Sequence, residues 1–149
     1  MKDKEVRDWC FTFSIPGEMV DLNTYIQAER SYYQKSAKIK KEETWRTVAR
    51  IRELFGSDMV IMEEMYPLHI LFVWHTKNTR KDPDNVDFAR KYILDGMVNS
   101  GLLRNDSRKE IGSLHSMFGT EKDSPYVEVR VYRYAKDLLD YMGQGLTSS

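Results

Sequence analysis

The feature that most constrains the fold of this chain is the stretch Leu68–Thr76, LHILFVWHT, which is apolar except for two histidines and the final threonine. It has the length of a strand and falls well short of the ~20 residues that a membrane-spanning helix needs. A nearly continuous apolar run of this length is typical of a strand that is buried on both faces. We therefore predict a central strand here, inside a single domain that covers residues 1–149.

Three further segments have the composition of strands. Trp9–Ile15 is rich in aromatic and β-branched residues and ends at the turn signal Pro16-Gly17. Ile111–Phe118 and the alternating Tyr126–Tyr134 follow later in the chain, and we predict that they form a hairpin through Gly119–Pro125. With the central strand they predict an α+β fold, in which a small mixed sheet of about four strands packs with two main helices.

The first helical region extends from Thr24 to Phe55. Its apolar positions recur at helical spacing, most clearly in its second half, at Trp45, Val48, Ile51 and Phe55. A polar stretch, Lys38–Glu43, interrupts the pattern. We predict one long helix or two helices that are separated at this stretch.

A second helix is predicted from about Asn85 to Asn99, followed by Gly101 near its carboxyl end. Its buried side would carry Val86, Ala89, Ile93 and Met97. Near the carboxyl terminus, Ala135–Met142 forms a short amphipathic pattern, and we expect a mobile tail at about 143–149.

The composition limits the compartment and the chemistry. Cys10 is the only cysteine, so neither an intrachain disulfide nor a cysteine zinc cluster can form. The amino-terminal residues, MKDKE, lack the apolar stretch of a secretory signal. We expect a cytoplasmic protein that does not associate with membranes.

Positive charge is concentrated in one part of a chain whose net charge is zero. Residues 30–52 contain only two acidic residues, Glu42 and Glu43, against eight basic ones: Arg30, Lys35, Lys38, Lys40, Lys41, Arg46, Arg50 and Arg52. Such a segment is either a solvated helix face or a surface that binds nucleic acid.

The densest group of chemically useful residues follows the central strand. Asp82 and Asp84 flank Pro83 and precede Asn85, and Asp106 lies beyond the second predicted helix. Carboxylates at this spacing could hold Mg²⁺ or Mn²⁺, which prefer oxygen ligands. Alternatively, Asp82 or Asp84 could cap the helix. A calcium-binding EF-hand is excluded because its later ligand positions hold apolar residues.

Other classes of site find little support. Neither a Gly-x-Ser-x-Gly nucleophile motif nor a glycine-rich phosphate-binding loop occurs in the sequence. His69 and His75 would lie on the same side of the central strand, where we expect them to serve packing, and His115 in the predicted hairpin gives no further indication. Cys10 alternates with apolar strand residues and is expected to be inert.

Several motifs, in their order and spacing, match one known family. They are Ile15-Pro16-Gly17, Leu22-Asn23 with Tyr25-Ile26, Glu29-Arg30, Lys40-Lys41, Asp82-Pro83-Asp84-Asn85, Lys91 with Asp95-Gly96, Gly101-Leu102-Leu103 and Asn105-Asp106. Over about residues 9–133 the chain resembles the RusA family of crossover-junction endodeoxyribonucleases, in the branch common in phages and prophages. These enzymes resolve Holliday junctions in DNA recombination and repair.

The resemblance implies a Mg²⁺-dependent homodimer that nicks two opposed strands of a four-way junction, in the nucleoid of a bacterial or phage-infected cell. It points to Asp82, Asp84 and Asp106 as catalytic, metal-binding residues. It also points to Lys91, which lies four residues before Asp95 as the family lysine does before its own aspartate. Asn85 and Asn105 would support the aspartates beside them, although family members often have an acid at the position of Asn105.

The basic residues would then bind the phosphates of branched DNA. The expected set is Arg30, Lys35, Lys38, Lys40 and Lys41 on the arms of the junction, with Lys77, Arg80 and Lys81 near the site. Three alternatives stay open: a non-catalytic DNA-binding module of the same fold, a less selective nuclease that cuts flaps or forks, and a structural protein without DNA affinity.

Overall fold

The computed structural model describes residues 3–8 and 10–145, and these form a mixed α+β fold around one five-stranded sheet. The strands are β1 (Lys4–Val6), β2 (Cys10–Pro16), β3 (Leu68–Thr76), β4 (Ile111–Thr120) and β5 (Tyr126–Tyr132). The helices are α1 (Leu22–Ser31), α2 (Tyr33–Phe55), α3 (Pro83–Asp87), α4 (Arg90–Asn99) and α5 (Ala135–Gly143), with a short 3₁₀ turn at Glu63–Met65. The α+β class is as predicted, with one strand more than expected.

Strand β3 has the predicted bounds and an interior position in the sheet. The strand order is β1-β2-β5-β3-β4, so β3 pairs with β5 on one side and with β4 on the other. Its successive residues Ile70, Leu71, Phe72 and Val73 are all fully buried. Both faces of β3 are therefore covered, which explains why its sequence is apolar without alternation.

The predicted hairpin between the last two strands is wrong. β4 and β5 do not pair with each other, because β3 lies between them, parallel to β4 and antiparallel to β5. The connection 121–125 crosses the end of β3, where the Glu121 N–H donates to the Thr76 carbonyl (2.7 Å). Because β3 is buried, its backbone N–H and C=O groups need hydrogen-bond partners on both edges of the strand. A hairpin of β4 with β5 would leave one edge of β3 without a partner.

The other predicted strands lie close to their expected positions. The first, predicted at Trp9–Ile15, is β2, and Trp9 itself lies outside the described residues. β4 extends to Thr120, whereas β5 ends at Tyr132 rather than Tyr134.

The first helical region consists of two helices, but they are separated at Tyr32 and not at the polar stretch 38–43. Tyr32 has an extended backbone, with φ −166° and ψ 115°. The polar stretch stays helical because Glu43, which is buried, accepts a hydrogen bond from the Val20 N–H (2.9 Å) and pairs with Arg46 (3.4 Å). Trp45 departs from the apolar pattern: it is 59% exposed, whereas Val48 is fully buried.

The second predicted helix, 85–99, is also two helices. α3 begins at Pro83, which is favourable at the first position of a helix because proline has no N–H to leave unpaired. Between α3 and α4 the Ala89 N–H donates to the Val86 carbonyl (3.3 Å), so the chain tightens into a 3₁₀-like turn. The buried positions predicted for this region are confirmed at Ala89, Ile93 and Met97, while Val86 is partly exposed.

Helices α2 and α4 approach each other closely at Gly96. A Cβ atom at this position would lie 2.5 Å from Thr47 Cβ, so only glycine permits the contact. This contact sets the spacing between the helices that carry Lys40 and Asp95.

Helix α5 packs on the opposite face of the sheet, as its amphipathic pattern predicts. Leu138 is fully buried there with Leu71, Val73 and Tyr132. Of the tail expected to be mobile at about 143–149, residues 146–149 lie outside the described residues. Within the described residues, no helix combines the length and the apolar character that crossing a membrane requires.

Candidate functional site

The loop after β3 places the first two candidate aspartates at the start of α3. Asp82 is exposed and has an extended backbone (φ −67°, ψ 153°), and its side chain makes no capping hydrogen bond. Asp84, also exposed, accepts a hydrogen bond from the N–H of Asn85 (3.0 Å). Of the alternative interpretation, in which Asp82 or Asp84 caps the helix, the structure therefore excludes a side-chain cap by Asp82, which occupies the N-cap position, whereas Asp84 does accept from an N–H of the first turn.

Two buried polar residues join this loop to the start of α1. Asn85 accepts a hydrogen bond from the Asn23 N–H (2.9 Å), and Asp21 caps α1 by accepting from the Thr24 N–H (2.8 Å). The other oxygen of Asp21 pairs with Lys81 (2.8 Å). Asn85 therefore supports the site by fixing α3 against α1.

The loop that carries Asp106 is held by a network around Glu110, which is 3% exposed. The guanidinium of Arg104 donates to the Glu110 carboxylate from Nε (2.9 Å) and from Nη2 (2.6 Å), and the Ser107 hydroxyl donates to it as well. At the tip of the loop, Asn105 Oδ1 accepts from the Asp106 N–H (2.9 Å). Asn105 thus contacts the backbone of Asp106.

These elements bring Asp84, Lys91 and Asp106 to the wall of one cavity of about 400 Å³, which we call the acidic cavity. Asp95 lies on the same wall. Asp82 is not part of the wall, although it lies only two residues before Asp84. The structure therefore brings together three of the four residues predicted to be catalytic.

Asp95 is a member of the site that was not predicted as a functional residue. Burial, the largest cause, raises the pKa of its carboxyl group, and the negative charge of Asp106 raises it further. The positive charges of Lys40 and Lys91 lower this pKa but do not cancel the rise. Its spacing of four residues from Lys91 on α4 is the sequence signal that would have indicated it, because residues four apart share one helix face.

Asp87 also lines the acidic cavity, but its carboxylate is engaged in holding α3 to the sheet. It accepts hydrogen bonds from Trp74 Nε1 (2.9 Å) and from the hydroxyl of Ser116, and it pairs with Arg90 (3.3 Å). We assign Asp87 a structural role for this reason.

The carboxylates of the acidic cavity suit a hard cation, because Asp84, Asp95 and Asp106 offer only oxygen ligands. In residues 3–8 and 10–145, however, no three His, Cys, Asp or Glu side chains are grouped closely enough to hold a metal ion. A cation would therefore require these side chains to turn toward one another. Asp84 and Asp106 are exposed, which leaves them room for such rotation.

A second cavity, of about 540 Å³, lies between α2 and α4, and we call it the helical groove. Lys40, Lys41 and Trp45 form its wall on α2. Asp95 and Asp106 line both the helical groove and the acidic cavity, so the two cavities adjoin each other.

The basic segment 30–52 divides into two parts with different roles. Arg30, Lys35, Lys38, Lys40 and Lys41 are exposed, and only Lys38 among them forms an ion pair within the described part of the chain, with Glu42 (3.7 Å). Arg46 and Arg50 instead hold α2 to β2 and the turn that follows it, through the backbone oxygens of residues 14, 16 and 18. The first part is therefore available to bind phosphates, and Arg52, at the end of α2, is exposed as well.

The basic residues of the loop after β3 also differ from one another. Lys81 is engaged with Asp21 (2.8 Å), and Lys77 lies 3.9 Å from a carboxylate oxygen of Glu18. Arg80 is exposed. Of these three, Lys81 is the least available to DNA because its partner is buried.

The histidines and the cysteine lie away from the acidic cavity. His69 and His115 both contact the Ser113 hydroxyl (2.7 and 2.8 Å), and the His75 ring stacks on Tyr126 with 4.2 Å between centroids. Cys10 is buried, and its burial raises the pKa of the thiol to about 11.

No protein-family model matches the chain, and a search of curated proteins finds no match either.

Proposed function

We propose that this protein is a metal-dependent endonuclease that resolves four-way DNA junctions by paired, symmetric nicks. One observation carries the proposal: the acidic cavity, with Asp84, Lys91, Asp95 and Asp106, adjoins a groove that carries Lys40 and Lys41. Acids that suit a cation thus lie beside cations that suit phosphates. The resemblance to the RusA family supports the same conclusion from the sequence.

Phosphodiester hydrolysis requires an activated water molecule and groups that neutralise charge as it develops on the phosphate and the leaving oxygen. A divalent cation would supply both functions when bound by Asp84 and Asp106 together with Asp82 or Asp95. The ammonium group of Lys91 offsets the negative charge on the phosphate. Asp95 is half-buried, and the charges of Lys40 and Lys91 act on its carboxyl group, so both lysines lie within electrostatic range of the acids.

Affinity for DNA comes from the exposed first part of the basic segment together with Arg80. Contacts between lysines and phosphates release counterions, so binding weakens as salt concentration rises and is largely independent of base sequence. An affinity for junctions that does not change with salt would contradict this placement.

Paired nicking further requires two equivalent sites, because a four-way junction presents two equivalent strands. We therefore propose a homodimer with two-fold symmetry. Light scattering at the concentration used for cleavage should give twice the 17.6 kDa mass of the chain. A monomeric mass would contradict the paired-nick mechanism.

The second candidate is a non-catalytic DNA-binding module. It is favoured by the finding that, in residues 3–8 and 10–145, no three possible ligands are grouped closely enough for a metal ion. Such a module would use the same basic surface without cutting.

A panel of strand-labelled substrates separates the candidates. Duplex, flap, fork and four-way junction are incubated with the protein in Mg²⁺, in Mn²⁺ and in chelator. We expect metal-dependent nicks at symmetric positions in two opposed strands of the junction only. Equal cutting of flaps and forks would indicate a less selective nuclease, and binding without cutting would overturn the enzymatic proposal.

A further inference from the structure

The helical groove contains an exposed tryptophan that the fold does not require. Trp45 lies in the middle of α2 and is 59% exposed, whereas Val48 and Ile51 on the same helix are buried. The guanidinium of Arg52 lies over its ring, 5.5 Å from the centroid. A large aromatic side chain that contributes little to the core, yet lines a cavity, indicates a surface for binding.

The groove has the dimensions and the chemistry of a site for one nucleotide. Its volume of about 540 Å³ falls within the range of ~300–1,000 Å³ that is usual for small-ligand sites. Val98 contributes apolar surface beside Trp45, and Asn99 contributes an amide that can both donate and accept hydrogen bonds.

The groove holds charges of both signs, with Asp95 on α4 and Asp106 on the loop that follows, and the lysines of its α2 wall are the groups that could bind a nucleic acid. Lys40 and Lys41 line the groove, and neither forms an ion pair with any residue of the described ranges. Unpaired lysines beside an exposed indole are the combination by which single-stranded nucleic acids are bound, the cations holding phosphates and the ring stacking on a base.

We propose that the helical groove binds an unstacked nucleobase on the indole of Trp45, next to the nucleotide whose phosphate lies at the acidic cavity. The proposal rests on the proposed function, because Asp95 and Asp106 connect the two cavities. Capture of a base requires unpairing and unstacking it, which costs least where the DNA is not continuous duplex. Trp45 would thereby position the strand for cutting and favour branched substrates over intact duplex.

The test compares the binding of two short labelled oligothymidylates, one intact and one with an abasic position at its centre. Fluorescence anisotropy is measured in chelator, so that no cutting occurs. The variants are Trp45→Ala, Trp45→Phe, which keeps an aromatic ring, and the control Tyr33→Ala, which removes an aromatic residue of α2 that is 74% exposed and lies outside the groove wall. Circular dichroism verifies that each variant is folded.

We expect Trp45→Ala to weaken binding of the intact oligonucleotide about tenfold, the size of one lost stacking contact. Trp45→Phe should recover most of this loss, Tyr33→Ala should bind like the wild type, and the abasic oligonucleotide should show a much smaller effect of Trp45→Ala. Quenching of tryptophan emission by the intact oligonucleotide should disappear in Trp45→Phe.

Two failures are distinguishable. If the wild type binds and cuts junctions but Trp45→Ala binds both oligonucleotides as well as the wild type does, the stacking proposal is overturned while the proposed function stands. An equal loss for intact and abasic oligonucleotides would also overturn it, since the indole would then not contact a base. If the wild type binds no DNA at all, the proposed function and the stacking proposal both fail, and the groove is left as a surface for a protein partner.

Discussion

The ion pair between Asp21 and Lys81 should contribute measurably to stability, in a way that depends on pH. Asp21 is 8% exposed, caps α1 through the Thr24 N–H and pairs with Lys81, both at 2.8 Å. Replacing Asp21 with Asn keeps an oxygen that can cap the helix and removes the charge, whereas Asp21→Ala removes both contacts.

The expected magnitudes follow from these contacts. A hydrogen bond to a charged group contributes about 1.5–3 kcal/mol, but Lys81 is partly exposed, so solvent screening reduces the loss in Asp21→Asn to about 1 kcal/mol. Asp21→Ala loses a helix cap in addition, which brings its cost to about 2 kcal/mol.

The pH dependence has a definite sign. Burial by itself would raise the pKa of Asp21, but the hydrogen bonds from Lys81 and Thr24 outweigh burial and lower it. A lowered pKa in the folded state means that the contribution is present at neutral pH and is lost as the pH falls past the ordinary range of an aspartate carboxyl group and through the lowered pKa of Asp21.

Urea unfolding at pH 7 and at pH 3 measures both effects. The difference in free energy of unfolding between wild type and Asp21→Asn should shrink at pH 3. An equal difference at the two pH values, or an Asp21→Asn variant as unstable as Asp21→Ala, would refute the assignment of the ion pair.

Three further predictions concern Gly96 and Asp87, which position the helices that carry the site, and the buried thiol of Cys10. Gly96→Ala should lower the free energy of unfolding, measured in urea, by about 1–3 kcal/mol, because the added methyl group would clash with Thr47. An unchanged free energy of unfolding would contradict the close contact between α2 and α4. Asp87→Ala should cost about 1–3 kcal/mol by leaving the Trp74 indole N–H unpaired, and the cost should fall when Trp74 is Phe; an equal cost in both backgrounds would exclude this hydrogen bond. Cys10, buried and with its pKa raised to about 11, should react with a thiol reagent only as fast as the protein opens, and fast labelling of the native protein would show that it is accessible.

The sequence was most informative where one residue pattern has one structural solution. The apolar run Leu68–Thr76 predicted β3 with its bounds, because only a strand with both faces buried accounts for it. The hairpin prediction failed since local strand patterns do not indicate which strand will be inserted between two others. The break at Tyr32 was missed because the polar stretch that suggested a break elsewhere is stabilised by the distant contact between Glu43 and Val20.

For the site, the resemblance to the RusA family pointed to Asp82, Asp84, Lys91 and Asp106, and the fold brings all of them except Asp82 to one cavity. Charge composition could not distinguish Arg46, which holds backbone oxygens, from Lys41, which faces a groove. That distinction depends on tertiary contacts. It removes Arg46 and Arg50 from the candidate DNA-binding surface.

The most direct test of the account is the cleavage of a strand-labelled four-way junction by Asp106→Asn, compared with Asp58→Asn, which changes an exposed acid outside both cavities. We predict that Asp106→Asn binds the junction at least as tightly as the wild type, because a negative charge near the phosphate is removed, but makes no metal-dependent nicks. Asp58→Asn should cut normally. Paired nicking by Asp106→Asn at the wild-type rate would contradict the assignment of the acidic cavity as the catalytic site.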